Sequence, residues 1–118
     1  MKKILFILRK PPHSGAYLQE VLDLILTTAA FDQDVSLLLL DTAVFQIKAQ
    51  QKTDQTGLKD TLAIYGALPL YNIKQIFAES ESLQENGLSV PQLNTNVIEV
   101  LRKNVNILFK QFDLVLSV

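Results

Sequence analysis

Residues 35 to 40 read Val-Ser-Leu-Leu-Leu-Leu, a strand-length run with one small polar interruption. A strand with one wet face alternates apolar and polar positions, whereas a nearly unbroken apolar run suits a strand buried on both faces, the condition of a parallel sheet layered by helices. That requirement constrains the rest of the chain. Parallel strands need crossover connections, so helix-length segments of 3.6-residue periodicity must lie between the strand-length runs.

The sequence supplies them in alternation. Lys3 to Leu8 reads as a first strand, closed by Pro11-Pro12, which no central strand tolerates. From Ala16 to Ala30, Leu18, Val21, Leu22, Ile25 and Ala29 recur at helical spacing and predict a helix against the sheet. Asp41-Thr42 offers a cap before Ala43 to Ile47. Leu58 to Leu68 reads as a helix ended by Pro69, Ile73 to Ala78 as a third strand, and Glu79 to Gly87 as a short helix with Gly87 at its C-terminal cap. Val97 to Val100 predicts a fourth strand. Leu101, Val105, Leu108 and Phe112 predict one last helix, and Asp113 to Val118 a terminal strand. The expected architecture is a three-layer α/β sandwich around a mainly parallel five-stranded sheet with right-handed crossovers, in one domain over residues 1–118.

The first helix carries more apolar surface than one sheet face can cover. Tyr17, Leu24, Thr28 and Phe31 form a second stripe roughly 100° from the first, predicted either to pack beneath a neighbouring helix or to serve as an interface. The 48% apolar fraction and mean hydropathy of +0.21 agree with nonpolar surface left for a partner.

Charge excludes several functions. Eleven basic against twelve acidic residues give a net charge of −1, without the basic excess of a nucleic-acid binder or an anionic-membrane binder, so no direct nucleic-acid or membrane partner is expected. No apolar run approaches the roughly 20 residues of a membrane span. The start, Met1 to Leu8, has a basic end and an apolar run, but Arg9, Lys10 and two prolines follow without a cleavage site, so a cytoplasmic protein is expected.

Chemistry is expected to lie beyond the carboxyl ends of the strands, at Arg9 to Gly15, Asp41 to Phe45 and Glu79 to Ser82. None of these holds a glycine-rich phosphate loop, and His13-Ser14 lacks the G-x-S-x-G context of a hydrolase nucleophile. An enzyme using His13, Asp41 or Glu79 as acid or base is a minor alternative. With one histidine and no cysteine, no catalytic residue, cofactor or metal is expected. Phe45, Gln46 and Tyr71, each near a strand-loop junction, are candidate contact residues, Tyr71 because a buried hydroxyl needs a polar partner such as an interface rim provides.

Taken together, Pro12-His13, Val44-Phe45-Gln46, Leu70-Tyr71-Asn72-Ile73, Ser82-Leu83 with Gly87-Leu88, and Phe112-Asp113-Leu114-Val115-Leu116 resemble, in order and spacing, the TusC/DsrF branch of the DsrE family over nearly the whole chain. The resemblance implies a DsrE-like fold and membership of a TusB–TusC–TusD heterohexamer. There, sulfur from a TusA-like donor travels on a TusD cysteine to a TusE-like acceptor, toward 2-thiouridine at the tRNA wobble position. The alternative is a DsrF-like subunit of a DsrEFH sulfur-oxidation complex. A stand-alone, homo-oligomeric module binding a small molecule is a further alternative. Thr42-Ala43 stands where the family commonly has Asp-Gly, and cysteines of some relatives are missing, including near the third strand. A persulfide needs a thiol sulfur, so the chain is expected to be a non-catalytic subunit that packs against and positions TusB- and TusD-like partners. The contact residues expected for this are Tyr17, Leu24, Phe31, Phe45, Gln46 and Tyr71.

Overall fold

The structure is a computed structural model that describes residues 2–10, 16–47, 65–73, 75–93 and 97–118. The strand-length apolar runs form β1 (Lys3–Leu8), β2 (Asp34–Leu39), β3 (Ile76–Glu79), β4 (Ile98–Val100) and β5 (Leu114–Ser117), in spatial order β4-β3-β2-β1-β5. Every described pairing is parallel, so the sheet is wholly rather than mainly parallel. β2 occupies the centre, as its two-sided apolar character requires. Its partners place Leu37 beside Phe6 and Ile76, and Leu38 beside Ile7 and Phe77.

Alternate side chains enter different layers. On one face Ile4, Phe6, Leu8, Val35, Leu37, Leu39, Ile76 and Ala78 meet Val21, Leu22 and Ile25 of helix α1 (Ala16–Ala30), which follows the span predicted from its periodicity. On the other face Leu5, Ile7, Leu38, Leu40 and Phe77 lie under Leu108 of the short helix α3 (Val105–Phe109). Each fully buried side chain of this size stabilises by about 1.5–3 kcal/mol. The layers are unequal: the α1 layer is broad, whereas the α3 layer leaves Ile98, Leu101 and Ile107 exposed.

Connections depart from expectation in three places. Asp41–Ile47 is a 3-10 helix that buries Ala43, Val44, Gln46 and Ile47. Pro69 does not end a helix; it sits in the first turn of a 3-10 segment, Leu68–Tyr71, that follows helical residues 65–67. Asn72 then adopts φ +63 and Ile73 donates its N–H to Leu68, which delays β3 to Ile76. The remainder of the helix predicted from Leu58 falls outside the described residues.

The predicted last helix is broken into a 3-10 turn, Arg102–Asn104, and α3. Leu101 stands in extended conformation before it and is exposed. Helix α2 (Ser80–Glu85) ends as expected at Gly87, whose φ is +69. Gly87 donates to Gln84 and Leu88 to Leu83, the two bonds that close a helix through a left-handed residue, and both leucines are buried.

Candidate functional site

The carboxyl ends of β1, β2 and β3 place Arg9, Asp41 and Glu79 at one edge of the sheet. Asp41 takes φ +53, a left-handed conformation that aspartate tolerates. Two side chains fix its backbone: its N–H donates to Ser82 Oγ at 2.8 Å, and its carbonyl accepts from Asn86 Nδ2 at 3.1 Å. Thr42 Oγ1 donates to the Arg9 carbonyl, and Ala43 donates its N–H to Leu40 with its methyl fully buried. The turn therefore places its left-handed residue at Asp41, and the Thr42-Ala43 pair is accommodated without glycine.

Ser82, also fully buried, passes its proton-donating side to Glu79 Oε1 at 2.7 Å. The same oxygen accepts Arg102 Nε at 3.2 Å and Nη2 at 2.9 Å, while Arg102 Nη2 reaches Glu85 at 3.0 Å. The Arg102 backbone N–H donates to Glu81 Oε1. One guanidinium thus ties β3, α2 and the turn after β4 together. Burial acts to raise the Glu79 carboxyl, but hydrogen bonds from Arg102 and Ser82 and the charges of Arg102 and Arg9 outweigh it and hold it below its ordinary value. The bonds to Glu79 and Glu85 push the guanidinium up, so it stays charged.

Chemically, the arrangement is self-satisfied. Ser82 lies beside a carboxylate that could act as a base, yet it already donates to that carboxylate, whose basicity is lowered, and accepts from a backbone amide. That is a poor setting for a nucleophile. Among the described residues no group of three or more His, Asp or Glu is placed to hold a metal ion, and no helix is long and apolar enough to cross a membrane. His13 and Ser14 lie outside the described residues. A shallow depression of about 290 Å³ lined by Lys3, Asp34, Ser36, Asn72 and Gln75 sits at the opposite, amino end of the strands.

The model of the DsrE/DsrF-like family matches residues 2–113. The chain belongs to that family. It is 37% identical over 93 residues to the intracellular sulfur oxidation protein DsrF of Allochromatium vinosum, spanning 79% of this chain and 68% of the relative. To protein TusC of Shigella flexneri it is 36% identical over 88 residues, spanning 75% and 74%. The crystal structure of the ychN protein from E. coli superposes with a TM-score of 0.85 at 19% identity, covering both chains fully, a likeness of fold.

In this DsrE/DsrF-like chain the six candidate contact residues separate into three groups. Leu24, Phe31 and Tyr71 are exposed, Phe31 at 73%. Phe45 and Tyr17 are half-buried against the main core, and the Lys10 ammonium lies 4.0 Å from the Tyr17 ring centroid. Tyr17 Oη is enclosed with no hydrogen-bond partner among the described residues. Gln46, also expected as a contact residue, is fully buried: its Nε2 donates to the Lys10 carbonyl at 2.8 Å and its Oε1 accepts from the Tyr65 hydroxyl at 2.6 Å. It holds the β1 exit to the helical turn at 65–67. The second stripe of α1 stays uncovered at Leu24 and Phe31, while Thr28 turns its hydroxyl back to the Leu24 carbonyl.

Sequence reasoning had singled out Asp41 and Glu79 as strand-end groups but missed Arg102, which lies 23 positions from Glu79. Only the pairing of Glu79 with Val100 brings it near. Its signal was a lone arginine two residues past a strand, directly after the span that pairs with β3.

Proposed function

We propose that this chain is a cytoplasmic, non-catalytic subunit, one DsrE/DsrF-like domain over residues 1–118, of a TusBCD-like sulfur relay that supports 2-thiouridine formation at the tRNA wobble position. It packs against a TusB-like neighbour and against the cysteine-bearing TusD-like subunit, whose thiol it positions. Sulfur arrives from a TusA-like donor and leaves to a TusE-like acceptor without touching this polypeptide.

One observation carries the reading: the carboxyl end of the sheet holds a buried serine locked between an amide and a carboxylate, in a sequence without cysteine. A transferable sulfane sulfur needs a thiolate to carry it, and a hydroxyl cannot take that role. The exposed Leu24, Phe31 and Tyr71 then supply the contact surface.

Co-expression with TusB- and TusD-like partners tests this. The expected result is co-purification in a fixed ratio, with labelled sulfur found on the TusD-like chain alone, and loss of co-purification on Leu24→Asp with Phe31→Asp. A chain that stays apart from both partners, or that alone moves labelled sulfur to an acceptor, overturns the proposal. A DsrF-like subunit of a sulfur-oxidation complex is the second reading, favoured by the 37% identity to DsrF. The partners recovered from the native host separate the two.

A further inference from the structure

On the α3 face of the sheet the strands change character toward their amino ends. In β1, Ile7 and Leu5 give way to Lys3; in β2, Leu38 gives way to Ser36 and Asp34; and Phe77 of β3 is preceded on that face by Gln75. The apolar members lie under α3, and the polar ones line the depression of about 290 Å³ together with Asn72 and Val35. The strand register sets Lys3 directly beside Asp34, yet neither enters an ion pair among the described residues. Ser36 is buried and donates its hydroxyl to Gln75 Oε1 at 3.3 Å, which leaves the Gln75 amide N–H groups for another acceptor.

The main chain adds to this polar lining. β3 joins β2 where the Leu37 N–H donates to the Gln75 carbonyl at 3.1 Å, and just before that the chain turns away, because Ile73 gives its N–H to the Leu68 carbonyl. Alternate residues of a strand direct their N–H and carbonyl to the same side. Those of Val35 therefore point toward β3, as those of Leu37 do, and among the described residues no main-chain group on that side bonds them. The Val35 side chain is packed in the α1 layer, so its main chain is what it offers the depression.

We propose that this depression binds a free α-amino acid whose side chain ends in a carboxamide. Opposite charges held side by side match a ligand that carries both. A lone anion drawn to Lys3 is repelled by Asp34, and a lone cation drawn to Asp34 is repelled by Lys3, whereas a zwitterion satisfies the two together. Its carboxylate meets the Lys3 ammonium and its ammonium meets Asp34. Its side-chain amide, donor and acceptor at once, meets the open Val35 main chain and the amides of Asn72 and Gln75. The volume lies at the low end of ligand pockets, which run from about 300 to 1,000 Å³, and suits a single amino acid. The site is at the far end of the strands from Ser82 and Glu79 and off the α1 stripe, so it stands apart from the proposed relay role.

Titration of the isotope-labelled full chain with L-glutamine and L-asparagine, followed by amide NMR, reads the binding. The expected result is saturable shifts at the Val35 and Ser36 N–H groups and at the side-chain amides of Asn72 and Gln75, with a Kd of about 1 mM. Glutamate, norvaline, acetate and ethylammonium each lack one of the matched groups and should bind roughly tenfold more weakly or worse. Lys3→Gln and Asp34→Asn should each weaken glutamine by a similar factor. Both residues hold neighbouring strands through their main chain, Asp34 to Lys2 and Lys3 to Asp113, which these substitutions leave in place. Unchanged dispersion of the remaining amides verifies that the variants fold.

The absence of a saturable shift with either amino acid up to about 50 mM overturns the proposal, as do shifts that map away from the depression. Acetate, ethylammonium or norvaline binding as tightly as glutamine overturns it too, and so do Lys3→Gln and Asp34→Asn variants that bind glutamine as wild type does.

Discussion

Replacing Tyr65 by Phe removes one oxygen from the core and leaves the ring in place, which isolates a single hydrogen bond. Tyr65 is 1% exposed, and its hydroxyl donates at 2.6 Å to a glutamine amide that is fully buried. The lost atom therefore opens little packing volume, and the main effect falls on Gln46 Oε1, which loses its phenolic donor in a place closed to bulk water. Removing a hydrogen bond to a buried acceptor costs about 1–3 kcal/mol. At roughly 4 °C per kcal/mol for a domain of this size, Tm should fall by roughly 4–12 °C, and the urea midpoint should fall without a change in slope.

Adding Gln46→Leu should cost less than the two single changes summed, because both changes remove the same hydrogen bond. The pH dependence has a definite sign. Burial pushes the Tyr65 phenol above its ordinary value, so its contribution is complete below about pH 10 and is lost as pH rises past that toward the folded-state value. Tyr65→Phe should accordingly lose less stability than wild type between about pH 9 and 11. A Tyr65→Phe variant within about 0.3 kcal/mol of wild type, or strict additivity with Gln46→Leu, would refute the reasoning.

Leu38→Ala, at a fully buried position of the central strand, should cost about 2–5 kcal/mol in urea unfolding, whereas Leu24→Ala on the exposed stripe should stay within about 0.5 kcal/mol. Gly87→Ala meets no atom within 4 Å, so any loss comes from the left-handed backbone at φ +69 and should be about 1 kcal/mol by thermal melt. Because the folded-state Glu79 carboxyl is held below its unfolded value of about 4.3, its contribution is present above that pH and disappears as pH falls through the folded value. Urea midpoints measured from about pH 6 down to 3 should therefore fall more steeply in wild type than in Glu79→Gln; parallel curves contradict the assignment.

Where local pattern and tertiary need coincide, the chain was legible before folding. The β1 and α1 boundaries follow from an apolar run ended by prolines and from a helical stripe long enough to average out local noise. The last helix was misjudged because its apolar spacing is real but its ends are held elsewhere. Arg102 is anchored to Glu79, Glu81 and Glu85, Asn104 sits at the start of α3, and Asp113 must return to Lys3, giving its N–H to the Lys3 carbonyl and accepting the Lys3 N–H on its carboxylate. Similarly, β3 starts late because Ile73 is spent closing the turn on Leu68. Of the strand-end cluster, Asp41 and Glu79 were visible from the parallel-sheet rule, while Arg102 needed the register of β4 on β3. Gln46 looked like a contact because it sits beside an aromatic at a loop; only the packing of Tyr65 over it reveals a buried amide.

The strand order has a kinetic consequence. β1 pairs with β2 on one side, but its other edge waits for β5, and Ile4 is matched to Leu114, 110 positions later. At a synthesis rate of about 5–20 residues per second, the free edge of β1 stands open for roughly 5–20 s while the rest of the chain is made. Ile4, Phe6 and their neighbours then border unpaired amides and carbonyls, the template on which sheets of different molecules join. For the β1 edge the vulnerable interval lies before β5 is made, and the docking of β5 ends it.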